Sequence, residues 1–572
     1  MRAGFPLVLL TALFLSCGNA PEKHSASNSR YGGVFNLNET EALRSIFPLT
    51  LTQASSFRIM SQVYQGLVAF DPENLSVIPC IAEKWEVDAT STKYTFHLRQ
   101  GVRFQDDPAF PDGKGRELNA DDIIHCFNTI CTQGPGDGTF WLFQDRVEGA
   151  NSHYAASGNG QTPKEGVKGI ERVDDQTVRI TLLHPSPNFL QVIAHQGCWI
   201  WPKELITAYG EDPRTNAIGT GPFVLHEYAP SQVMVLERNP HYWGRDEHDD
   251  QLPYLDAVRI TFNKEKKTEF EEFREGHVTA LLELPVDRLR DLRDSVDATS
   301  GERHFVMRAM SSLTSQFYGF DIYHPPFNDQ RVRRAFALAI DRQYLVDSVL
   351  GGMAAPAMHG IVAPGLQGYP YEEVPRIPFA PDNARKLMAE AGYPGGVGFP
   401  SIQMQLNADG FGYVQVAEAL QTMLTRELNI PLSISVVPAD RHYDQVDRGL
   451  VRFWREGWTA DHPDPENFLA LLYGKNAVLD STLPASINKT RFNNQAFNNI
   501  FAKAMMTNDR VERLHQLALA EKIVMDEMPI TPLYHEQAAY LMQPWVRGLH
   551  LNAIEYLDLC EVWFEKKEKP AP

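Results

Sequence analysis

Positive charge is scarce in this chain. Fifty-three Lys and Arg stand against 72 Asp and Glu, a formal charge of −19 over 572 residues. A surface that negative repels phosphate, which argues against nucleic-acid binding and against electrostatic docking on anionic lipid. Cysteine is sparse as well, with only Cys17, Cys80, Cys126, Cys131, Cys198 and Cys560. Cys126 and Cys131 lack the Cys-x-x-Cys spacing of a zinc or redox site, so burial as small apolar side chains is the expected fate. Beyond the N-terminus no apolar run reaches membrane-spanning length. Catalytic signatures are missing too: there is no Gly-x-Ser-x-Gly elbow, no His-Glu-x-x-His and no phosphate-binding loop. The 18 histidines are scattered, and His535-Glu536 has no second histidine four residues on. Asp121-Asp122 and Asp174-Asp175 read as a cap and a turn. Neither a metal nor a cofactor is expected, and a hydrolase is the remote alternative.

What is present is ample for large buried cores. The hydrophobic fraction is 43%, ordinary for a globular protein, and the length allows two to four domains. Arg2 followed by the short apolar run Phe5 to Leu15 reads as an export signal. Phe14-Leu-Ser-Cys17 resembles a bacterial lipobox, with Phe14 in place of the usual Leu. Two outcomes stand open: lipidation of Cys17, or ordinary cleavage near Ala20. Residues Ala20 to Arg30 are polar and helix-poor, as a flexible tether is.

Strand and helix patterns mix along the rest. Tyr94–Arg99, Val178–Leu182 and Val233–Glu237 alternate like half-buried strands, and Asp174-Asp175 marks a hairpin turn. Asn328 or Asp329 predicts a helix burying Val332, Ala335, Phe336 and Ala339, and Asp341 a second one ending at Gly351-Gly352. Further helices are expected from Asp382 to Ala391, Gln415 to Leu428 and Glu512 to Met528, with a strand at Ile434–Val437. Asn151 to Gly166 reads as a polar surface insertion, and Arg331, Arg333 and Arg334 as a solvated helix face. Hairpins dominate the first half, which predicts two mixed lobes with an extra sheet-rich subdomain in the first.

One segment carries chemistry of its own. Glu456-Gly-Trp-Thr-Ala-Asp461-His-Pro-Asp-Pro-Glu-Asn467 places Trp458 and Asp461 three residues apart, in a loop stiffened by Pro463 and Pro465. A ring and a carboxylate on one rigid loop suit a ligand with an ammonium group and an apolar side chain. The same Asp461 would also cap a turn or the helix read at Glu466–Leu472, and the segment alone leaves both readings open.

The segment resembles the amine-gripping loop of the extracellular solute-binding proteins of the peptide and nickel class, which feed ABC importers. Other blocks carry the likeness in order: Tyr64-Gln-Gly-Leu-Val68, Ile78 to Trp85, Tyr94 to Phe104, Ile218-Gly-Thr-Gly-Pro-Phe223, Arg238-Asn-Pro-His-Tyr-Trp243, Pro325 to Ala335 and Met528 to Leu533. Residue by residue these also have plain readings. Gly219 and Gly221 permit a close backbone approach, and Trp85 and Trp243 suit core or interlobe packing.

The resemblance implies an α/β fold of the large two-lobed periplasmic-binding-protein type, closing over its ligand by a hinge. The chain then divides into a signal and anchor cysteine (1–17), a tether (18–30), lobe one (31–70 and 196–306), its extra subdomain (71–195), lobe two (307–530) and a lobe-one return (531–572). Crossovers are expected near Met307–Ser315 and Pro529–His535. By the same resemblance Asp461 holds a peptide's amino terminus and Trp458 lines its pocket. Tyr64 and Tyr318 are further candidates for the cleft. The implied partners are a peptide ligand, an ABC permease and the membrane through Cys17, with the protein itself a periplasmic or outside-facing monomer.

The ligand's carboxylate has no assigned partner, since Gln405 to Tyr413 lacks the arginine some dipeptide binders carry there. His359, Arg308 and Arg58 are candidates, and Asp321 either adds negative charge near the ligand or forms a turn. Relatives that bind metal chelates, haem or oligosaccharides, or act as sensors, keep a second reading open.

Overall fold

The computed structural model describes residues 30–565 except 40–42, 44, 52, 211–212, 264, 283–304, 408–411, 479, 481–482, 486, 551 and 555. Cys17 lies outside the described residues. Among those described, no helix is long and apolar enough to cross a membrane, and the five remaining cysteines are buried and unpaired.

The first lobe packs around Phe35, Leu37, Phe96, Phe127, Trp201 and Ile260, and takes Leu557, Leu559 and Val562 from the end of the chain. Its central sheet runs Val34–Asn38, Ala257–Thr261, Val233–Arg238, Phe223–Ala229, parallel at the first pair and antiparallel after it. A second four-stranded sheet, Ala82–Val87, Lys93–Leu98, Thr177–Thr181, Ile170–Asp174, is antiparallel throughout. In Lys93–Leu98 the alternation buries Tyr94, Phe96 and Leu98, as period-two patterning requires. The Asp174 carboxylate accepts from the Gln176 amide at 2.8 Å and closes the expected hairpin turn.

The second lobe is built on a seven-stranded mixed sheet. Its two longest strands, Val306–Phe320 and Ile530–Met542, pair antiparallel with each other. They carry the chain between the lobes: Tyr540 and Met542 sit in the first core, while Tyr318, Phe320, Leu533 and Tyr534 sit in the second. Beside them runs Phe453–Thr459, whose end delivers the Trp458–Asp461 segment to the cleft.

The helices follow their caps. Asp329 accepts from the Arg331 amide and starts Gln330–Leu338. Asp509 starts Arg510–Glu527, which ends where Met528 turns left-handed before Pro529. Two sequence readings change. Arg333 is not on a solvated face: it is 5% exposed and donates to the carbonyls of Glu527, Met528 and Phe327. It thus caps the end of the long helix, which has no intrahelical donors left for those oxygens. Residues 151–166 do lie near the surface, but Ala150–Gly158 is a helix, entered through Gly149 at φ +80°. Its alanines favour the helix, but its apolar residues are spread round the helix instead of along one face, which hid the period.

Candidate functional site

Between the lobes lies a cavity of about 770 Å³. That is within the usual range for a site enclosing a small organic ligand. Phe57, Tyr64, Gln65, Trp199, Tyr242 and Trp243 line it from the first lobe, and Thr459, Ala460 and Asp461 from the second. The last turns of the chain, from Gly548 to Glu561, complete the wall.

Backbone contact sets the first-lobe wall. A Cβ at position 219 would stand 1.9 Å from the Val63 carbonyl oxygen, and one at 221 would stand 2.6 Å from it. Only glycine fits here, so the Gly219-Thr-Gly221 turn presses on the segment that carries Tyr64 and Gln65. Tyr64 stacks on Trp199 with ring centroids 6.1 Å apart. Gln65 accepts from the Trp243 indole at 3.0 Å and from Thr220 at 3.1 Å, and donates to the Tyr242 hydroxyl at 3.1 Å. Trp243 therefore packs and lines the cavity at once, and Arg99 lies over its ring.

The second-lobe wall is the end of Phe453–Thr459 and the loop after it. Ala460 donates its amide to the Leu313 carbonyl at 2.9 Å, which fixes the loop to the crossover strand. Asn467 then organises the turn. Its side-chain oxygen accepts from the Trp458 indole at 2.7 Å and from the Asp461 amide at 3.2 Å. Its nitrogen donates to the Asp461 carboxylate at 3.3 Å and to Nδ1 of His462 at 3.2 Å. Asp461 caps no helix; Pro465 holds the N-terminal position of the short helix Glu466–Leu469. The Asp461 carboxylate keeps solvent contact through the cavity, yet both lobes surround it. The residue is exposed to solvent, but the protein atoms crowded around its carboxylate raise its pKa above the usual 3.8, against the hydrogen bond from Asn467.

The charge of the cavity is negative. Asp71, Glu73, Asp461, Asp558 and Glu561 line it, against Arg58, Arg245 and His550. Arg58 is already neutralised by Glu39, at 3.0 and 3.1 Å, inside the first lobe. An electrically unbalanced, partly dehydrated acidic cavity favours a cation.

The remaining sequence candidates are placed as follows. Trp458 is half-buried against the second-lobe core and lies behind Asp461, outside the cavity lining. Tyr318 stands apart from the cavity: it is 1% exposed and packs on Phe453, ring centroids 5.0 Å apart. A strand position facing the core gives the same aromatic signal as one facing a cleft. Asp321 forms a turn, pairing with His324 at 2.8 Å and with Arg452. His359 is tied to the Val374 carbonyl at 3.0 Å, and Arg308 is exposed on its strand.

Sequence reasoning missed Arg455. It lies on the strand face that Gly457 and Thr459 share, two and four residues before the cavity residue. Its guanidinium stacks 3.5 Å from the Tyr413 ring centroid and donates to Asn407 at 3.3 Å and to Gln316. It is 6% exposed, its Nε has no hydrogen-bond partner, and among the described residues no carboxylate forms an ion pair with it. The available signal was an arginine in strand alternation with Thr459, six residues before Asp461.

Comparison with known proteins bears on the fold and the family. At 26% identity the chain aligns with heme-binding protein A of Haemophilus influenzae over 96% of both chains. It aligns equally closely with di/tripeptide-binding protein 2 of Pseudomonas aeruginosa, over 87% of this chain and 89% of that one. Among solved structures, HbpA2 of Haemophilus parasuis superposes with a TM-score of 0.77 at 23% identity, covering 93% of this chain and all of that one. DppA of Helicobacter pylori in complex with the peptide STSA superposes with a TM-score of 0.73 at 23% identity, covering 94% and 99%. These likenesses show the two-lobed periplasmic-binding-protein fold. The family model of the bacterial extracellular solute-binding proteins, family 5, matches residues 76–480, and the chain belongs to that family.

Proposed function

We propose that this protein is the receptor of an ABC importer, capturing peptides by their amino terminus and delivering them to a membrane permease. The observation that carries the reading is the Asp461 carboxylate, open to an interlobe cavity of about 770 Å³ and held in place by Asn467. An ammonium group entering that space finds a fixed counter-charge where water is reduced, so the pair is stronger than at a surface. The acidic lining repels free anions and leaves the ligand's carboxylate to a cation outside the cavity lining proper. Arg455 is the residue this reading assigns to it, because its buried Nε has no hydrogen-bond partner and the Glu536 carboxylate reaches it only through Gln316. Relatives named for di- and tripeptides and a neighbour with a bound peptide support the class of ligand.

In this reading the protein is a monomer outside the cytoplasm, tethered by a lipid on Cys17, with its lobes divided along the strands Val306–Phe320 and Ile530–Met542. Closure brings Asp461 onto a ligand seated on Tyr64, Trp199 and Trp243. The test is mass spectrometry of the ligand that copurifies with the native protein, followed by calorimetric titration with that ligand. Recovery of peptides with free amino termini is the expected result. Recovery of a haem, a sugar or a bile acid instead would overturn it.

A further inference from the structure

A second polar contact crosses between the lobes, and it does not line the ligand cavity. Arg146 and Asn188 come from the first lobe, where their neighbours Phe143, Val147 and Phe189 belong to the apolar core. His462 and Glu466 come from the second, within the loop that carries Asp461. Nη2 of Arg146 stands 3.6 Å from the Glu466 carboxylate. The Asn188 amide donates to the same carboxylate and lies 3.4 Å from Nε2 of His462. Asn188 and His462 are 1% and 3% exposed, and the side chains of Arg146 and Glu466 keep 19% and 12%, so the contact is largely shielded from water.

The second lobe prepares its half. Arg513 holds Asp464 through two hydrogen bonds of 2.6 and 2.8 Å and reaches Glu466 at 4.0 Å. Asn467 uses its oxygen on Trp458 and on the Asp461 amide, so its nitrogen must donate to Nδ1 of His462. Nε2 of His462 faces Glu466 at 3.8 Å. Burial alone would raise the Glu466 carboxyl. Its neighbour His462 and the charges of Arg146 and Arg513 outweigh it and hold the carboxyl below its usual range.

We propose that Arg146 and Asn188 are positioning residues. Docked on Glu466 and His462, they clasp the Asp461 loop from the opposite lobe and hold the closed protein shut. The path is short: Asn188 touches His462, His462 is bonded to Asn467, and Asn467 is bonded to Asp461. Closure thus reaches the anchor through residues that contact no ligand. Opening exposes Arg146 and Glu466 further to water and leaves the loop to the ties of its own lobe, Asn467 on Asp461 and Arg513 on Asp464. A buried charge pair split between two moving bodies makes closure close to all-or-none, since a half-made contact strands a dehydrated charge.

The test uses the full chain with Arg146→Met and Glu466→Gln, singly and together, compared by small-angle scattering and by stopped-flow binding. Each single variant is expected to enlarge the ligand-free radius of gyration. Each should also raise the peptide dissociation rate about tenfold or more, with the association rate little changed. The double variant should add little to either single one, because the two side chains act as one unit. Wild-type scattering from both variants, or additive effects, would overturn the clasp. Only the dissociation arm rests on the peptide-binding reading. If the wild type binds no peptide, that reading fails while scattering still decides on the clasp. If Asp461→Ala abolishes binding and the clasp variants match the wild type in both arms, the clasp alone falls. Melting curves confirm folding, and Asn188→Ala provides an independent variant should Glu466→Gln fail to fold.

Discussion

The indole nitrogen of Trp458 donates to the side-chain oxygen of Asn467 at 2.7 Å. The ring and the amide thereby fix each other, and the amide fixes Asp461. Asn467→Ala would leave the indole N–H and the Asp461 amide without their acceptor, at a cost of about 1–3 kcal/mol for the buried group. Peptide affinity is expected to fall about tenfold or more while the second-lobe core stays intact. Calorimetric titration beside a thermal melt checks it. Unchanged affinity would show that Asp461 needs no such support.

Asp461→Ala should weaken peptide binding by one to three orders of magnitude, roughly 1.4 kcal/mol for each tenfold. The decisive comparison is with the ligand's own amine. Acetylating the peptide's amino terminus should cost the wild type the same affinity and cost the alanine variant almost nothing. Equal sensitivity of both proteins to acetylation would place the ammonium somewhere else.

Protein crowding from both lobes raises the Asp461 carboxyl above its usual value of 3.8, although the residue stays exposed to solvent. A bound ammonium would lower it again, so binding expels a proton wherever the free carboxyl is still protonated. Affinity should therefore rise with pH through the free-site pKa and level off above it. On acidification, binding should be lost at a higher pH than an ordinary aspartate would allow. Titrations over that range, with Asp461→Asn as the control, read this directly. Wild-type and Asn profiles of the same shape would contradict it.

Much of this was legible in the sequence because the signals are local. Period-two alternation marked Lys93–Leu98, a cap marked Gln330–Leu338, the run Glu512 to Met528 marked the helix Arg510–Glu527, and the Gly219-Thr-Gly221 turn marked a close approach that the Val63 carbonyl now explains. What sequence could not give was direction in space. Tyr318 and Tyr64 are both 1% exposed and packed in a core, yet only Tyr64 borders the cavity. Arg333 sits between two exposed arginines, but helical rotation turns it onto the carbonyls of a helix nearly 200 residues away in the chain. Arg455 and Arg146 were silent for the same reason, since an arginine's importance depends on which carboxylate the fold brings near it.

Glu521 tests the second lobe itself. From the helix Arg510–Glu527 its carboxylate accepts from the amides of Ile361 and Val362 at 2.7 and 2.9 Å and from the Tyr369 hydroxyl at 2.6 Å. Burial outweighs those three donors and raises its pKa from 4.5 to about 7. The folded protein thus holds a proton there that the unfolded chain releases earlier. Stability from this site is fully present below about pH 4.5 and is lost as pH rises to about 7, for a total of about 3 kcal/mol. Glu521→Gln keeps an acceptor for both amides and does not titrate. Its Tm should fall below that of the wild type at low pH, or match it, and gain on it steadily across this window. Melting curves that stay parallel from pH 4.5 to 7.5 would mean that the three donors keep the carboxylate charged throughout.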